Sequence, residues 1–554
     1  MVWCMYCGKR NLCVLTVAVL MSFCGAGGQA TNAAEQPKVT APPESRKIPS
    51  FYKKHVDCGG LPIVSSDKVS DAALFEAAKL VDKMLAGRPD IRKAMIEKGG
   101  RVMIVGAKEG ITDLPEYAWM KPKEFWNKRS RGFGGSYGKI HTSVAEENLL
   151  CLPEDTYEEE NIIIHEFGHT MHETLNLMDK DRKFDKKLKE IYEKALAKKL
   201  WHCPYKEMYA AVNYREYWAE GVQDYFDANN QNNCKHNHVN TREELKAYDP
   251  DLAQLIEETF RLTDKTDWRY EPLVRRPQVT PPAESLQCDP FYKKEVWARG
   301  LPVLSSAGVS DAALLEANHI ARHVFAYRHD VFSDMIDGGL RLVVVGEKEK
   351  IADIPEYKGP DAAGGKPLRV LACTPERKMV ACGEENLLNR AGDPHAGESI
   401  LVRELARALH VMTGHRPVDE ELEKALEAYK TVDRKRRSSV RILRSKIGVK
   451  PIDKRFDDKL KQLYKNALGK GLWKDTLAAS NHEEYWAEGV QSWFDANLQD
   501  CAGHNQVNTR EELEKYDPDL AKLIAEVFCH TDRVDWRYRL PGKRNAENRP
   551  GQER

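Results

Sequence analysis

Apolar residues recur along this chain in helical and strand-like patterns. Their spacing predicts an amphipathic helix over Asp71 to Ala86 and a short buried strand over residues 101–106. A second strand is expected over residues 140–144, and a charged helix over residues 181–200. Helices and short strands mixed in this way predict an α+β fold with a small sheet.

A glycine-rich segment, RGFGGSYG at residues 131–138, separates the two predicted strands. Phosphate-binding loops carry a Lys-Ser or Lys-Thr pair after their glycines, and this segment lacks that pair. We therefore expect the segment to form an edge strand that borders a substrate cleft.

The most informative stretch is TYEEENIIIHEFGHTMH, from Thr156 to His172. Thr156 followed by Glu159 matches a capping box, so a helix is predicted to begin there. Residues 162–164 are isoleucines, which give this helix an apolar body suited to burial. Gly168 costs a helix about 1 kcal/mol relative to alanine, so we expect close packing at that position.

This stretch contains His165-Glu166-x-x-His169, the HExxH pattern of zinc peptidases. Histidines four residues apart lie on one face of a helix, where both imidazoles can reach a single tetrahedral ion. Glu166 is rotated by about 100° from His165, which suits a general base beside the metal. Apolar or uncharged residues flank the pattern, so a solvated helix face does not explain it. The sequence therefore predicts one Zn2+ per chain.

Such a site needs a third protein ligand. His172 lies on the same helix face, but the metzincin spacing fails because residue 175 is Leu175. Glu216 and Glu220, four residues apart on a later predicted helix, are better candidates, because one can bind zinc while the other orients a histidine. A structural interpretation stays open, because Asn213 and Glu216 also match a helix N-cap pattern.

These residues resemble the catalytic domain of anthrax lethal factor and its relatives, a branch of the gluzincin zinc metallopeptidases. In that family HEFGH is followed by a tyrosine, an asparagine and two glutamates, and the likeness here covers about residues 155–230. The resemblance implies roles for six residues: zinc binding by His165, His169 and Glu216, general-base action by Glu166, oxyanion stabilisation by Tyr209, and support of the ligands by Glu220. A phenol is also a suitable donor to charge that develops on a carbonyl oxygen.

Several short sequence segments occur twice in the chain. FYKK at 51–54 returns at 291–294, and EYWAEGVQ at 216–223 returns at 484–491. The second copy is longer because of a basic insertion at 431–446. Each copy far exceeds a solenoid repeat, so the pattern indicates a tandem duplication of a zincin-like metallopeptidase domain.

The second copy lacks the residues predicted to bind zinc. Alignment of the copies replaces both histidines by arginines, Arg403 and Arg407, and the tyrosine by Leu477. Arginine stays protonated and cannot bind zinc, so this copy is expected to be inactive. Three glutamates remain, and we expect them to pair with the arginines where the ion would lie: Glu404, Glu484 and Glu488.

Residues 1–30 have the pattern of a secretory signal peptide. Lys9 and Arg10 precede an apolar run over residues 12–24, and small residues follow at 28–30. The run is shorter than the roughly 20 residues that span a bilayer, so no integral membrane segment is expected after cleavage. We therefore expect a secreted protein, either extracellular or periplasmic.

The remaining boundaries follow from composition and from the repeat. We assign a polar linker to 31–48, the metallopeptidase domain to 49–274, a Pro-rich linker to 275–289, the degenerate copy to 290–540 and a polar tail to 541–554.

Lysine and arginine total 85, as do aspartate and glutamate, so no net field attracts nucleic acid or a membrane surface. The expected partner is a protein or peptide substrate.

Together these patterns predict a secreted zinc metallopeptidase, by default an endopeptidase, with one active domain and one inactive copy. Two alternatives stay open. The first copy could hydrolyse a non-peptide amide or ester, or the chain could be a binding protein that uses the degenerate cleft.

Overall fold

The structure is a computed structural model, and it describes most of the chain after residue 37. The described residues are 38–152, 155, 157, 160–202, 208–229, 236–274, 277–359, 362–363, 366–413, 455–498, 502–504, 506–529 and 536–541. The predicted signal peptide, the basic insertion at 431–446 and nearly all of the predicted tail lie outside these ranges. No helix within them is long and apolar enough to cross a membrane.

Residues 49–274, the N-terminal half, contain a four-stranded sheet with helices packed against it. The strands are β1 (Lys54–Cys58), β2 (Leu61–Ser65), β3 (Arg101–Val105) and β4 (His141–Ala145), in the order β1-β2-β3-β4. β1 is antiparallel to β2, and the other neighbours are parallel. The helices are α1 (Asp71–Met84), α2 (Pro89–Glu97), α3 (Lys123–Arg129), α4 (Glu146–Leu149), α5 (Ile162–Met178), α6 (Lys183–Ala197), α7 (Tyr209–Val212), α8 (Tyr214–Tyr225), α9 (Arg242–Tyr248) and α10 (Pro250–Phe260).

Residues 290–540, the C-terminal half, follow the same order. The strands are β5 (Lys294–Ala298), β6 (Leu301–Ser305), β7 (Arg341–Val345), β8 (Ala362–Ala363), β9 (Lys366–Pro367), β10 (Val370–Leu371) and β11 (Met379–Gly383). Five of them form a sheet in the order β10-β11-β7-β6-β5, and β8 pairs with β9. The helices are α11 (Asp311–Val324), α12 (His329–Asp337), α13 (Glu384–Leu387), α14 (Ile400–Thr413), α15 (Phe456–Gly469), α16 (His482–Trp493), α17 (Arg510–Tyr516) and α18 (Pro518–Phe528).

The two sheets share their strand registers. Lys54 pairs with Ser65 in the first hairpin, and Lys294 pairs with Ser305 in the second. The largest core of the N-terminal half surrounds α5, where the side chains of residues 163, 164 and 167 are fully buried. The C-terminal half has a comparable core around α14. The structure thus confirms the predicted α+β class.

The predicted elements exist, and their ends differ by a few residues in most cases. The start of α5 is the exception, because the prediction that this helix begins at Thr156 is wrong. It begins at Ile162, and the side chain of Asn161 accepts a hydrogen bond from the Ile164 amide at 3.3 Å. Asparagine is as strong an N-cap as threonine, and Asn161 directly precedes the apolar run. Thr156 and Glu159 themselves lie outside the described residues.

Candidate metal centre

Helices α5 and α8 pack together, and this contact fixes the geometry of the candidate site. Trp218 on α8 donates its indole N–H to the Gly168 carbonyl on α5 at 2.9 Å. A Cβ atom added to Gly168 would meet Val222 at 3.5 Å, an ordinary van der Waals separation. The helices thus pack at Gly168, but the contact leaves space for a Cβ atom and does not require glycine. The C-terminal half has Ala406 at the matching contact, where its carbonyl accepts a hydrogen bond from Trp486 at 2.9 Å.

The two helices bring the predicted ligands to one point. Glu216 Oε2 lies 3.3 Å from His165 Nε2 and 3.2 Å from His169 Nε2. Ligands on a tetrahedral zinc ion with bonds near 2.0–2.1 Å stand about 3.3 Å apart. The ligand atoms of His165, Glu166 and His169 also lie within 4.8 Å of one another. The arrangement can therefore hold a divalent cation.

Glu216 also occupies the helix position that the N-cap pattern indicates. The Asn213 side chain caps α8 by accepting from the Arg215 amide at 2.9 Å and from the Glu216 amide at 3.1 Å. The Glu216 carboxylate itself faces the two imidazoles. The capping pattern is correct, and it leaves this carboxylate available to the site.

Two further side chains hold the ring of His165, and sequence reasoning identified only one of them. His165 Nδ1 lies 3.2 Å from Glu220 Oε1 and 3.2 Å from Gln223 Oε1. The Gln223 amide nitrogen donates to the Ala228 carbonyl at 3.3 Å, which turns its oxygen towards the imidazole. His165 Nδ1 hydrogen-bonds to Gln223 Oε1, whereas Glu220 Oε1 lies within ion-pair distance without hydrogen-bond geometry. These contacts on Nδ1 hold the ring so that its other nitrogen, Nε2, faces Glu216.

His236 is a second residue that sequence reasoning missed. Its Nδ1 hydrogen-bonds to Glu220 Oε2, and its Nε2 lies 3.4 Å from Glu160 Oε1. His504 contacts Glu488 in the same way in the C-terminal half. The sequence did indicate this histidine, because a histidine precedes the repeated segment VNTREEL in both halves.

The charges around the imidazoles favour a cation. Burial alone raises the pKa of Glu216, but His169 and His165 hold it well below its usual value. Burial alone lowers the pKa of His165, but hydrogen bonding to Glu216 and Glu220 raises it well above its usual value. Burial likewise opposes ionisation of Glu220, whose pKa is nevertheless lowered to about 2 by His236 and His165. Ionised carboxylates therefore surround the point where the ligand atoms meet.

Tyr209 lies beside the first histidine, at the start of α7. The centroid of its ring is 5.8 Å from that of His165. Burial, and then the negative charge of Glu216, raise the pKa of its phenol well above the usual value. The hydroxyl therefore stays protonated and can donate a hydrogen bond.

The glycine-rich segment lies directly on α5. Phe133 and Ser143 exchange backbone hydrogen bonds of 3.2 and 2.8 Å, so the expected edge strand is a single antiparallel bridge to β4. A Cβ atom on Gly134 would stand 2.3 Å from the Glu166 carbonyl and 2.5 Å from the His169 Cβ. Only glycine fits so close to the HExxH turn.

The matching place in the C-terminal half holds ion pairs, as expected from the sequence. Arg403 donates to Glu484 at 2.8 Å, and Arg407 hydrogen-bonds to the other oxygen of that carboxylate. Arg403 Nε lies 3.0 Å from Glu488 Oε1, within ion-pair distance but without hydrogen-bond geometry. Arg407 Nε lies 3.5 Å from Glu404 Oε1. The arginines thus occupy the position of the imidazoles, and the network is incompletely hydrogen-bonded.

Leu477, which replaces the tyrosine, begins a short 3-10 helix (Leu477–Ala479), and its side chain is exposed.

Comparisons of the chain with protein-family models, with curated proteins and with solved structures found no match. Interpretation of the site therefore depends on its geometry and chemistry.

Proposed function

We propose that the N-terminal half is a zinc metallopeptidase domain of the gluzincin type, resembling the catalytic domain of anthrax lethal factor. The C-terminal half is, in this proposal, a duplicated copy that no longer binds the catalytic metal. One observation carries the proposal: two imidazole nitrogens and a carboxylate oxygen from α5 and α8 meet at ligand distances beside Glu166. The shared strand registers and the repeated sequence words support the duplication.

The donor set fits zinc. Two imidazoles and one carboxylate form the protein ligand set of several catalytic zinc sites and leave a fourth position open. His165, His169 and Glu216 would hold the ion in this chain. When bound, zinc lowers the pKa of water towards about 7 and polarises a carbonyl group.

The neighbouring side chains have distinct tasks in peptide hydrolysis. Glu166 takes the proton of the attacking water and passes it to the leaving amine. Tyr209 donates its hydroxyl hydrogen bond to the carbonyl oxygen as negative charge builds there. Glu220 and Gln223 hold the His165 ring in the orientation that presents Nε2 to the site.

A peptide substrate is proposed because an extended segment borders the ligands. The residues around Phe133 pair antiparallel with β4 and lie on the HExxH helix. Segments of this kind suit a substrate that binds as an added strand, with backbone hydrogen bonds along its length.

Digestion of a peptide library by the full chain tests the proposal. We expect cleavage at mappable sites, and a loss of about 10²–10⁴-fold in Glu166→Gln because its amide cannot accept the proton. Zinc content measured on the same variant should be unchanged. Glu404→Gln, the matched change in the C-terminal half, should leave cleavage as it is.

Other outcomes would overturn the proposal in distinct ways. An uncut library together with Glu166-dependent hydrolysis of small esters or amides indicates a non-peptide hydrolase. A chain that binds zinc and hydrolyses neither class of substrate indicates a binding protein.

A further inference from the structure

His172 on α5 and His410 on α14 take part in a contact that both halves share. His172 Nε2 lies 3.0 Å from Asp185 Oδ1, which joins α5 to α6. His410 Nε2 lies 3.0 Å from Asp457 Oδ1, which joins α14 to α15. Both histidines are buried. The pair is therefore part of the scaffold that both halves share.

The halves differ at the third residue of this cluster. In the N-terminal half it is Tyr214, whose ring centroid lies 5.8 Å from that of His172. In the C-terminal half it is His482, the first residue of α16. His482 Nε2 lies 3.1 Å from the same Asp457 oxygen that contacts His410. Replacement of a phenol by an imidazole thus adds a third ligand atom.

We propose that His410, Asp457 and His482 form a second metal site, which binds a divalent transition-metal cation such as Zn2+. Their ligand atoms all lie within 4.8 Å of one another. The two Nε2–Oδ1 separations, 3.0 and 3.1 Å, are close to the roughly 3.3 Å between ligands on tetrahedral zinc. Two imidazoles and a carboxylate suit zinc, cobalt and nickel better than magnesium or calcium.

Solvent reaches the cluster from one side. The His410 side chain is 2% exposed, that of Asp457 12% and that of His482 21%. The buried histidine and aspartate are therefore held in place, and the third ligand faces the entry path.

One neighbouring charge opposes metal binding. Lys461 forms an ion pair with the second oxygen of Asp457, Oδ2, and its own side chain is 47% exposed. The ammonium lowers the affinity of the carboxylate for a cation, although Oδ1 stays directed at both imidazoles. We therefore expect weaker binding here than at His165, His169 and Glu216, which lie among three carboxylates.

The site is distinguishable from the catalytic one by matched substitutions. His482→Tyr introduces the residue that the N-terminal half has at this position, so the fold has a precedent for it. In a His165→Arg/His169→Arg background the catalytic site is removed, and any equivalent lost on further substitution belongs elsewhere. This second site does not depend on the proposed peptidase function.

The test is metal titration of the full chain after chelator treatment. Zn2+ bound per chain is measured by calorimetry and by elemental analysis after gel filtration, and Co2+ is followed by its visible absorption. In the His165→Arg/His169→Arg background we expect His482→Tyr and Asp457→Asn each to lose one further equivalent, together with a Co2+ band. Thermal unfolding of each variant shows that the fold persists.

Equal metal content with and without His482→Tyr in that background would overturn the second site, since hydrogen bonds alone would then explain the cluster. Equal content in wild-type and His165→Arg/His169→Arg chains would count against the catalytic site instead. Failure of the second site and failure of the catalytic site are therefore distinguished by which pair of variants has equal metal content.

Discussion

The two halves keep the same carboxylates and change the cation that faces them. Two histidines on α5 face three glutamates in the N-terminal half, and two arginines on α14 face three in the C-terminal half. The matched carboxylates are Glu166, Glu216 and Glu220 in the first case and Glu404, Glu484 and Glu488 in the second. Two guanidinium groups carry the same charge as one zinc ion, so the arginines supply the positive charge that a metal would bring.

This comparison separates what the scaffold needs from what the chemistry needs. The Trp218–Gly168 contact and its counterpart, Trp486–Ala406, position the helix pair identically in both halves. Positions that differ between the sites are those that would touch a metal or a substrate. Under the proposed function, the HExxH histidines and Tyr209 are the site residues that the C-terminal half has lost.

The largest effect is expected from moving the arginines into the N-terminal half. His165→Arg/His169→Arg should abolish zinc binding at the catalytic site and reduce peptide cleavage by on the order of 10⁴-fold or more. The fold should persist, because the C-terminal half accommodates the same pair beside the same glutamates. Zinc analysis and thermal unfolding check this result, and full cleavage by the variant would refute the ligand assignment.

A smaller effect is expected from the tyrosine. Tyr209→Phe keeps the ring beside His165 and removes the hydroxyl donor, so kcat should fall by about 10²–10³-fold. KM and zinc content should change little, because the hydroxyl acts on charge that develops in the transition state. Steady-state kinetics on a peptide found in the library screen measure both values. An unchanged kcat would show that another donor stabilises the oxyanion.

In the C-terminal half, Glu484→Gln leaves two partly buried guanidinium groups, 12% and 18% exposed, without their shared carboxylate. Loss of one partner from a fully buried ion network destabilises by about 3 kcal/mol, and solvent screening lowers that figure for these partly exposed groups. The melting temperature of this half should therefore fall. Glu483→Gln, at the exposed neighbouring position, is the control and should have no effect. If both variants melt alike, the ion pairs add no stability and merely occupy the place of the metal.

The smallest effect is expected on the stability of α5, from a substitution at Gly168. Gly168→Ala should stabilise the N-terminal half by up to about 1 kcal/mol, since a Cβ atom at 3.5 Å from Val222 fits and alanine favours the helix. Denaturant unfolding of zinc-free protein gives the change. A loss of stability would show that the added methyl group disturbs the contact between α5 and α8.

Sequence reasoning succeeded where the interactions are local. The isoleucines at 162–164 give α5 a buried apolar body, and the i, i+4 spacing places both imidazoles on one face. The N-cap at Asn213 places Glu216 in the first turn of α8. The start of α5 was misjudged because two good N-caps, Thr156 and Asn161, precede the same apolar run. Local chemistry does not choose between them, whereas packing does.

Contacts between distant elements were not predictable in the same way. His236 reaches Glu220 from a loop after α8, and Gln223 reaches His165 only because α8 crosses α5 at Trp218. The cluster at His482 was missed for the same reason, since Asp457 belongs to another helix. The repeat carried a signal for His482, because the matching residue of the N-terminal half is Tyr214. A difference of this kind marks a place where a shared scaffold has changed its chemistry.

Anomalous diffraction at the zinc edge, from crystals of the full chain grown with limiting Zn2+, tests the central claim most directly. We expect a peak bonded to His165 Nε2, His169 Nε2 and the Glu216 carboxylate, and none between Arg403 and Arg407. A zinc-free first site in crystals that hold zinc elsewhere, or a peak that leaves Glu216 uncoordinated, would contradict the account.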